Sequence, residues 1–377
     1  MTVTINGSVA DGFGAVADAF ARCFTDEGDV GAAAAVYRDG RCVVDIWAGS
    51  ADAAGTRPWR RDTVVTTFST TKGVTAVCAN LLIERGVLDP GAPVARYWPE
   101  FAAQGKAGIT VDMVLSHRAG VAAIDATLTL DDLVAWQPVV DALAAQPPQW
   151  EPGTAHGYHA RTYGWIVGEL IRRTTGRRAG TFFAEEIAEP LGLRYWIGLP
   201  ATIEPDCAEL VPAGGPSFLS ALDPDSLLYR VMAGPSDIFV NGYDAQWNTR
   251  ALRAAELPSS NGVGDARSLA RLYAACVGEV DGVRVLSETT LDEATRPRTG
   301  GLDLVVGVDM CFGLGFMAGP TVFGLGRPRA FGHGGAGGSG AMADRDTGIT
   351  VAYVMNRLRF DADPRASSIA AAALACA

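Results

Sequence analysis

The chain has 377 residues, 48% of them hydrophobic and 19% charged, room for two domains or for one large domain carrying an insertion. Its 31 Lys+Arg against 42 Asp+Glu give a net charge of −11, which argues against nucleic acid or an anionic membrane as partner. Seven cysteines at positions 23, 42, 78, 207, 276, 311 and 376 are scattered, odd in number and without a Cys-x-x-Cys pair, so they read as reduced thiols and not as a disulfide frame or zinc site.

From the N-terminus, Met1 to Gly7 lacks the basic stretch and apolar core of a leader, and no apolar run reaches membrane-spanning length, so a cytoplasmic protein is expected. Phe13, Val16, Ala17, Phe20 and Phe24 recur at helical spacing and predict an amphipathic helix over 11–24. Two short apolar strands, 30–36 and 42–47, are joined at Asp39-Gly40, a strong hairpin signal. Thr63 to Phe68 reads as a third strand leading into a buried helix that closes at Gly86.

Helices are expected near 110–115, 128–143, 162–175 and 266–277, while 201–260, rich in proline and glycine, is the least regular stretch. A strand at 349–355 and a helix at 363–376 close the chain. Strands at both ends with helices between predict an α/β fold: one antiparallel sheet flanked by helices and built from 1–68 plus 300–377, with a mostly helical domain, 69–299, inserted. The active site is then expected in the cleft between them.

The chain holds only two lysines, and one of them lies in Ser69-Thr70-Thr71-Lys72. The predicted helix puts Ser69 near its N-terminus and Lys72 on the same face, three residues on. A serine hydroxyl needs a base to become a nucleophile. A lysine serves if burial and the positive helix end depress its pKa, whereas an arginine does not deprotonate.

Trp150 to Ala160 is a loop rich in proton-handling groups, among them Tyr158, whose phenolate a nearby cation such as Lys72 would stabilise. His156 and His159 form the one plausible metal pair, but no third ligand stands at a convincing spacing, so neither a metal nor a cofactor is expected. The run Phe331 to Gly340 fits Gly-x-Gly-x-x-Gly at Gly332, Gly334 and Gly337, yet no amphipathic helix follows and about forty residues remain, too few for a dinucleotide fold. It reads instead as an edge strand kept small for substrate approach, with a backbone N–H that joins that of Ser69 in an oxyanion hole. Gly-x-Ser-x-Gly is missing around Ser339, which argues against an α/β-hydrolase.

With these segments in order, the chain resembles the serine β-lactamase and penicillin-binding protein superfamily, most of all its class C β-lactamase-like carboxylesterases, the family VIII esterases. Ser69-Thr70-Thr71-Lys72 corresponds to the nucleophile motif, Tyr158-His159-Ala160 to Tyr-x-Asn, and His333-Gly334-Gly335 to Lys-Thr-Gly. Tyr97 to Phe101, Leu115 to Gly120, Pro152-Gly153-Thr154 and Gly332 to Asp344 also look like this branch.

The resemblance implies Ser69, Lys72 and Tyr158 as catalytic residues and the N–H groups of Ser69 and Ala336 as the oxyanion hole. It implies His333, Gly334, Gly335 and His159 as substrate-binding. Ala160 and His333 replace two polar grips on a β-lactam, so weak or no β-lactam turnover is expected. An esterase acting on a small-molecule ester is the leading reading. An acyltransferase with an amine or alcohol acceptor is the alternative, because Phe218 to Trp247 carries Phe218, Leu219, Leu227, Leu228, Tyr229, Phe239, Tyr243 and Trp247 and suggests either a lid or a loop-packing cluster. A binding protein with little turnover is a third reading.

Overall fold

The computed structural model describes residues 3–212, 214, 218–239, 246–360 and 363–377. In chain order come β1 (Asn6–Val9), α1 (Gly14–Thr25), β2 (Gly31–Arg38), β3 (Arg41–Gly49), β4 (Val65–Thr66) and α2 (Thr71–Glu84). There follow α3 (Thr162–Thr175), β5 (Tyr195–Ile197), α4 (Leu227–Ala233), β6 (Gly262–Gly264) and α5 (Ala266–Val277). The chain ends through β7 (Met317–Ala318), β8 (Ala330–Gly334), β9 (Gly340–Asp344), β10 (Ile349–Met355) and α6 (Arg365–Leu374), with further helices, among them Gln137–Ala145 and Glu288–Thr295, and short helical turns between these elements.

A seven-stranded antiparallel sheet, ordered β1-β3-β2-β10-β9-β8-β7, joins both ends of the chain. Its hairpin turns at Asp39 (φ 48°) and Gly40 (φ 77°), the two positive φ values that keep a tight turn in step with strand twist. Every residue of β10 is buried, so the sheet is covered on both faces. Tyr353 meets Phe20 of α1, while Thr350, three positions away and hence on the other face, bonds the Ala270 carbonyl of α5. Helix α5 therefore packs on the sheet although it lies inside the 69–299 stretch.

Two sequence expectations need amending. The strand leading to Ser69 is only β4, and it pairs with β6 in a separate three-stranded sheet, β4-β6-β5. The glycine-rich strand is not the outermost one: β7 pairs with Phe331 and Gly332, which leaves its His333–Gly334 end without a strand partner on that side. Helix α2 is apolar around nearly its whole circumference and buried from Thr71 to Leu82, as suits a central helix. It packs between α3 and β8, which brings the Ser69 turn beside the end of the glycine-rich strand. Among the described residues, no helix is long and apolar enough to cross a membrane.

Candidate active site

Phe68, immediately before Ser69, is buried with φ 46°, a left-handed conformation unfavourable for a bulky side chain. The turn is tied on several sides. Thr71 donates to the Phe68 carbonyl through its N–H (3.0 Å) and its hydroxyl (2.5 Å), and the Lys72 N–H bonds the Ser69 carbonyl at 2.9 Å. Ser339, 270 positions away in the sequence, donates to the Thr67 carbonyl at 2.7 Å and lies 3.1 Å from the Thr70 hydroxyl.

Lys72 is fully buried. Its Nζ lies 2.7 Å from the Ala160 carbonyl, 3.0 Å from the Ser259 carbonyl and 3.1 Å from Ser69 Oγ. Burial, assisted by the Arg161 charge, holds its pKa well below that of an ordinary lysine. A neutral amine has two N–H groups and one lone pair. In that neutral form the two carbonyls, which can accept only, take the N–H groups, and the lone pair is left for the Ser69 hydroxyl.

Tyr158 places its ring 4.8 Å from Lys72 Nζ, stacks on Phe312 at 6.2 Å and lies 6.0 Å from the ring of His333. From the sheet side, the chain leaving β8 comes up to the Ser69 turn only because Gly335 has no side chain. A Cβ on Gly335 would fall 2.2 Å from the Thr67 carbonyl oxygen, and one on Gly73 would fall 2.0 Å from the Tyr273 hydroxyl. Neither the Ser69 N–H nor the Ala336 N–H has a hydrogen-bond acceptor among the described residues. The carbonyl of Gly337, the next residue, accepts from buried Arg365 at 2.6 Å and from the Arg359 N–H at 3.2 Å. Beside this turn a cleft of about 480 Å³ runs along Gly334 to Ser339, walled by Phe218, Met232, Phe323 and Phe360.

The sequence pattern of the Beta-lactamase family matches residues 17–374. The chain belongs to the β-lactamase family. It is 39% identical over 368 residues to the esterase/beta-lactamase LipL of Mycobacterium tuberculosis, covering 93% of this chain and 83% of that one. A family VIII carboxylesterase structure superposes with a TM-score of 0.90 at 40% identity, covering 99% of this chain and 100% of that one. A penicillin-binding protein homolog from Caulobacter crescentus gives 0.89 at 36%, with the same coverage. The fold is thus the β-lactamase/transpeptidase-like one.

Two of the residues expected to hold substrate are otherwise engaged. His159 Nδ1 donates to the Gly157 carbonyl at 2.7 Å, and its Nε2 accepts the Val121 N–H at 3.1 Å. Both nitrogens of the His159 ring are thus already engaged within the fold. Burial pushes its pKa down to about 4. His333 takes the lysine position of the family motif, but its ring is buried as well. Its Nδ1 lies 2.7 Å from the Gly334 carbonyl, so the proton sits on Nδ1, and burial next to Lys72 brings its pKa down to about 3. What the His333-Gly334-Gly335 segment offers the cleft is backbone and the half-buried Gly334 and Gly335.

Sequence reasoning missed Arg161, Ser259, Ser339 and Arg365. Arg161 lies beside the tyrosine motif, with its guanidinium 4.3 Å from the Phe239 ring and 5.6 Å from Trp247. Trp247 in turn packs edge-on against Phe68 at 5.3 Å. The aromatic segment 218–247 thereby contacts the nucleophile turn, and its helix α4 contributes Leu227, Leu228 and Val231 to the apolar cluster around Tyr158. Tyr243 lies outside the described residues.

Proposed function

We propose that this chain hydrolyses small-molecule esters through an acyl-enzyme on Ser69. The observation that carries the reading is the fully buried Lys72, whose Nζ meets two carbonyls and, at 3.1 Å, Ser69 Oγ. Ser69 Oγ attacks the ester carbonyl carbon and gives its proton to the Lys72 amine. The N–H groups of Ser69 and Ala336 hold the oxygen that gains charge. When the C–O bond breaks, the Lys72–Tyr158 pair returns the proton to the departing alkoxide, and water discharges the acyl group by the same route. Lys72 and Tyr158 act together as the base, so the proton is assigned to the pair and not to one residue. Names borne by the relatives, esterase and carboxylesterase, support the same chemistry.

The apolar cleft beside Ala336 suits the hydrophobic part of an ester, and it is also where an alcohol or amine acceptor would compete with water. The site lies where the helical part meets the sheet, in the proposed cleft between 69–299 and the two terminal segments. Seven free cysteines, five of them buried, fit a reducing compartment, and we place the protein in the cytoplasm.

The reading is tested with p-nitrophenyl acetate and butyrate, with and without an added amine or alcohol, and with a chromogenic β-lactam alongside. Steady ester hydrolysis indifferent to the amine, lost in Ser69→Ala and far faster than β-lactam turnover, is the expected result. Faster discharge by amine than by water would make the chain an acyltransferase. Substantial activity in Ser69→Ala would remove the nucleophile assignment.

A further inference from the structure

The loop 301–310 has its polarity inverted. Leu302, Leu304 and Val308 are 65%, 49% and 57% exposed, three of the four large apolar side chains that face solvent among the described residues. Asp303, between the two leucines, is 1% exposed. No cation pairs with it among the described residues, and its Oδ2 is buried without a hydrogen-bond partner there. A loop shaped only for stability would turn the leucines in and the carboxylate out, and such local violations belong at working sites.

What the carboxylate does in return is specific. Its Oδ1 accepts three backbone N–H groups: Val305 at 2.9 Å and Val306 at 3.0 Å within the loop, and Tyr158 at 3.0 Å across 145 positions of sequence. The loop is fixed to the same stretch at a second point, where the Leu304 N–H bonds the His156 carbonyl at 3.0 Å. Val305 and Phe312 then close against the Tyr158 ring in one apolar cluster. The Tyr158 backbone is therefore held from the loop by a buried carboxyl group, while Lys72 faces its ring at 4.8 Å.

We propose that Asp303 is a positioning residue that sets the Tyr158 hydroxyl against Lys72 and the reacting oxygen, acting through the Tyr158 N–H. This rests on Tyr158 working in the reaction as proposed above. Asp303 touches no substrate. Its removal should misplace the phenol by a fraction of an ångström to an ångström, enough for about a 100-fold loss in kcat with little change in KM.

The test is a double-mutant cycle on p-nitrophenyl butyrate hydrolysis with Asp303→Ala and Tyr158→Phe. Asp303→Ala should lower kcat about 100-fold in the wild-type background and less than about threefold in the Tyr158→Phe background, since the group it positions is gone. Asp303→Asn keeps the acceptor oxygen and should restore activity to within about threefold of wild type. Should Asp303→Ala fail to fold, Asp303→Ser takes its place: its short hydroxyl still caps the loop's own N–H groups but falls short of Tyr158. Losses that multiply across the cycle, or an Asn variant as impaired as Ala, would overturn the proposal while leaving the Ser69 chemistry intact. A fully active Tyr158→Phe enzyme would remove the role of Tyr158 itself, and this inference with it.

Discussion

At the scale of single residues, the site depends on buried groups held in their neutral forms. His333 and His159 have pKa values brought down to about 3 and about 4 from an ordinary 6.5. Between those values and 6.5 the unfolded chain binds protons that the folded chain refuses. Each histidine therefore contributes stability that is fully present above pH 6.5 and lost as pH falls toward its folded value. The slope is about 1.4 kcal/mol per pH unit for each. Urea unfolding of wild type and His333→Asn at pH 7 and pH 5 checks this: the variant should lose about 2 kcal/mol less than wild type across the interval. Equal losses would mean that His333 is protonated in the fold. The Ser69–Lys72 contact was legible at this scale because the two residues are three positions apart on one helix start. The engagement of the His159 ring was not legible, because its partners, the Val121 N–H and the Gly157 carbonyl, are set by folding and leave no trace in a motif.

At the scale of elements, strand β8 and helix α2 approach each other through missing side chains. Gly335 is required by space alone, for its φ of −119° suits any residue. Since the atom a Cβ would meet is the backbone oxygen of Thr67, relief requires moving either the nucleophile turn or the Ala336 N–H. Gly335→Ala should lower kcat/KM by at least about 100-fold, as displacements near an ångström do. Its melting temperature should fall by only a few degrees, corresponding to about 1–3 kcal/mol of overpacking. Unchanged kinetics in a folded Gly335→Ala protein would show that the two elements are not in register for catalysis. The glycine run was legible as a place of close approach. That β7 covers part of β8 was not, because a two-residue strand carries no periodicity.

For the whole molecule, the sheet joins residues 6–49 to residues 317–355, and the groups that hold the site come from equally distant places. Ser339 ties the turn at Thr67 across 272 positions, Ser259 meets Lys72 across 187, and Asp303 meets Tyr158 across 145. Strand and helix periodicity at the two ends made the antiparallel sheet readable from the sequence, and the three ordered motifs made the family readable. These long-range ties were not, since each is a single polar residue with no local pattern, brought into place by packing of the entire chain. Arg365, at the start of the last helix, is the far end of the same scaffold, fixing the carbonyl of Gly337 next to the proposed oxyanion turn.

The central claim is that Lys72 is an uncharged amine whose lone pair faces Ser69. The most direct measurement is the rate at which a fluorophosphonate labels Ser69, followed by intact mass, in wild type and in Lys72→Arg across pH 6 to 9. Wild type should label rapidly, and faster as pH rises through the acid limb of the Lys72–Tyr158 pair. Lys72→Arg puts a permanent cation with no lone pair in place of the amine, so it should label at least about 1000-fold more slowly at every pH. Labelling of Lys72→Arg at a rate near that of wild type would contradict the account.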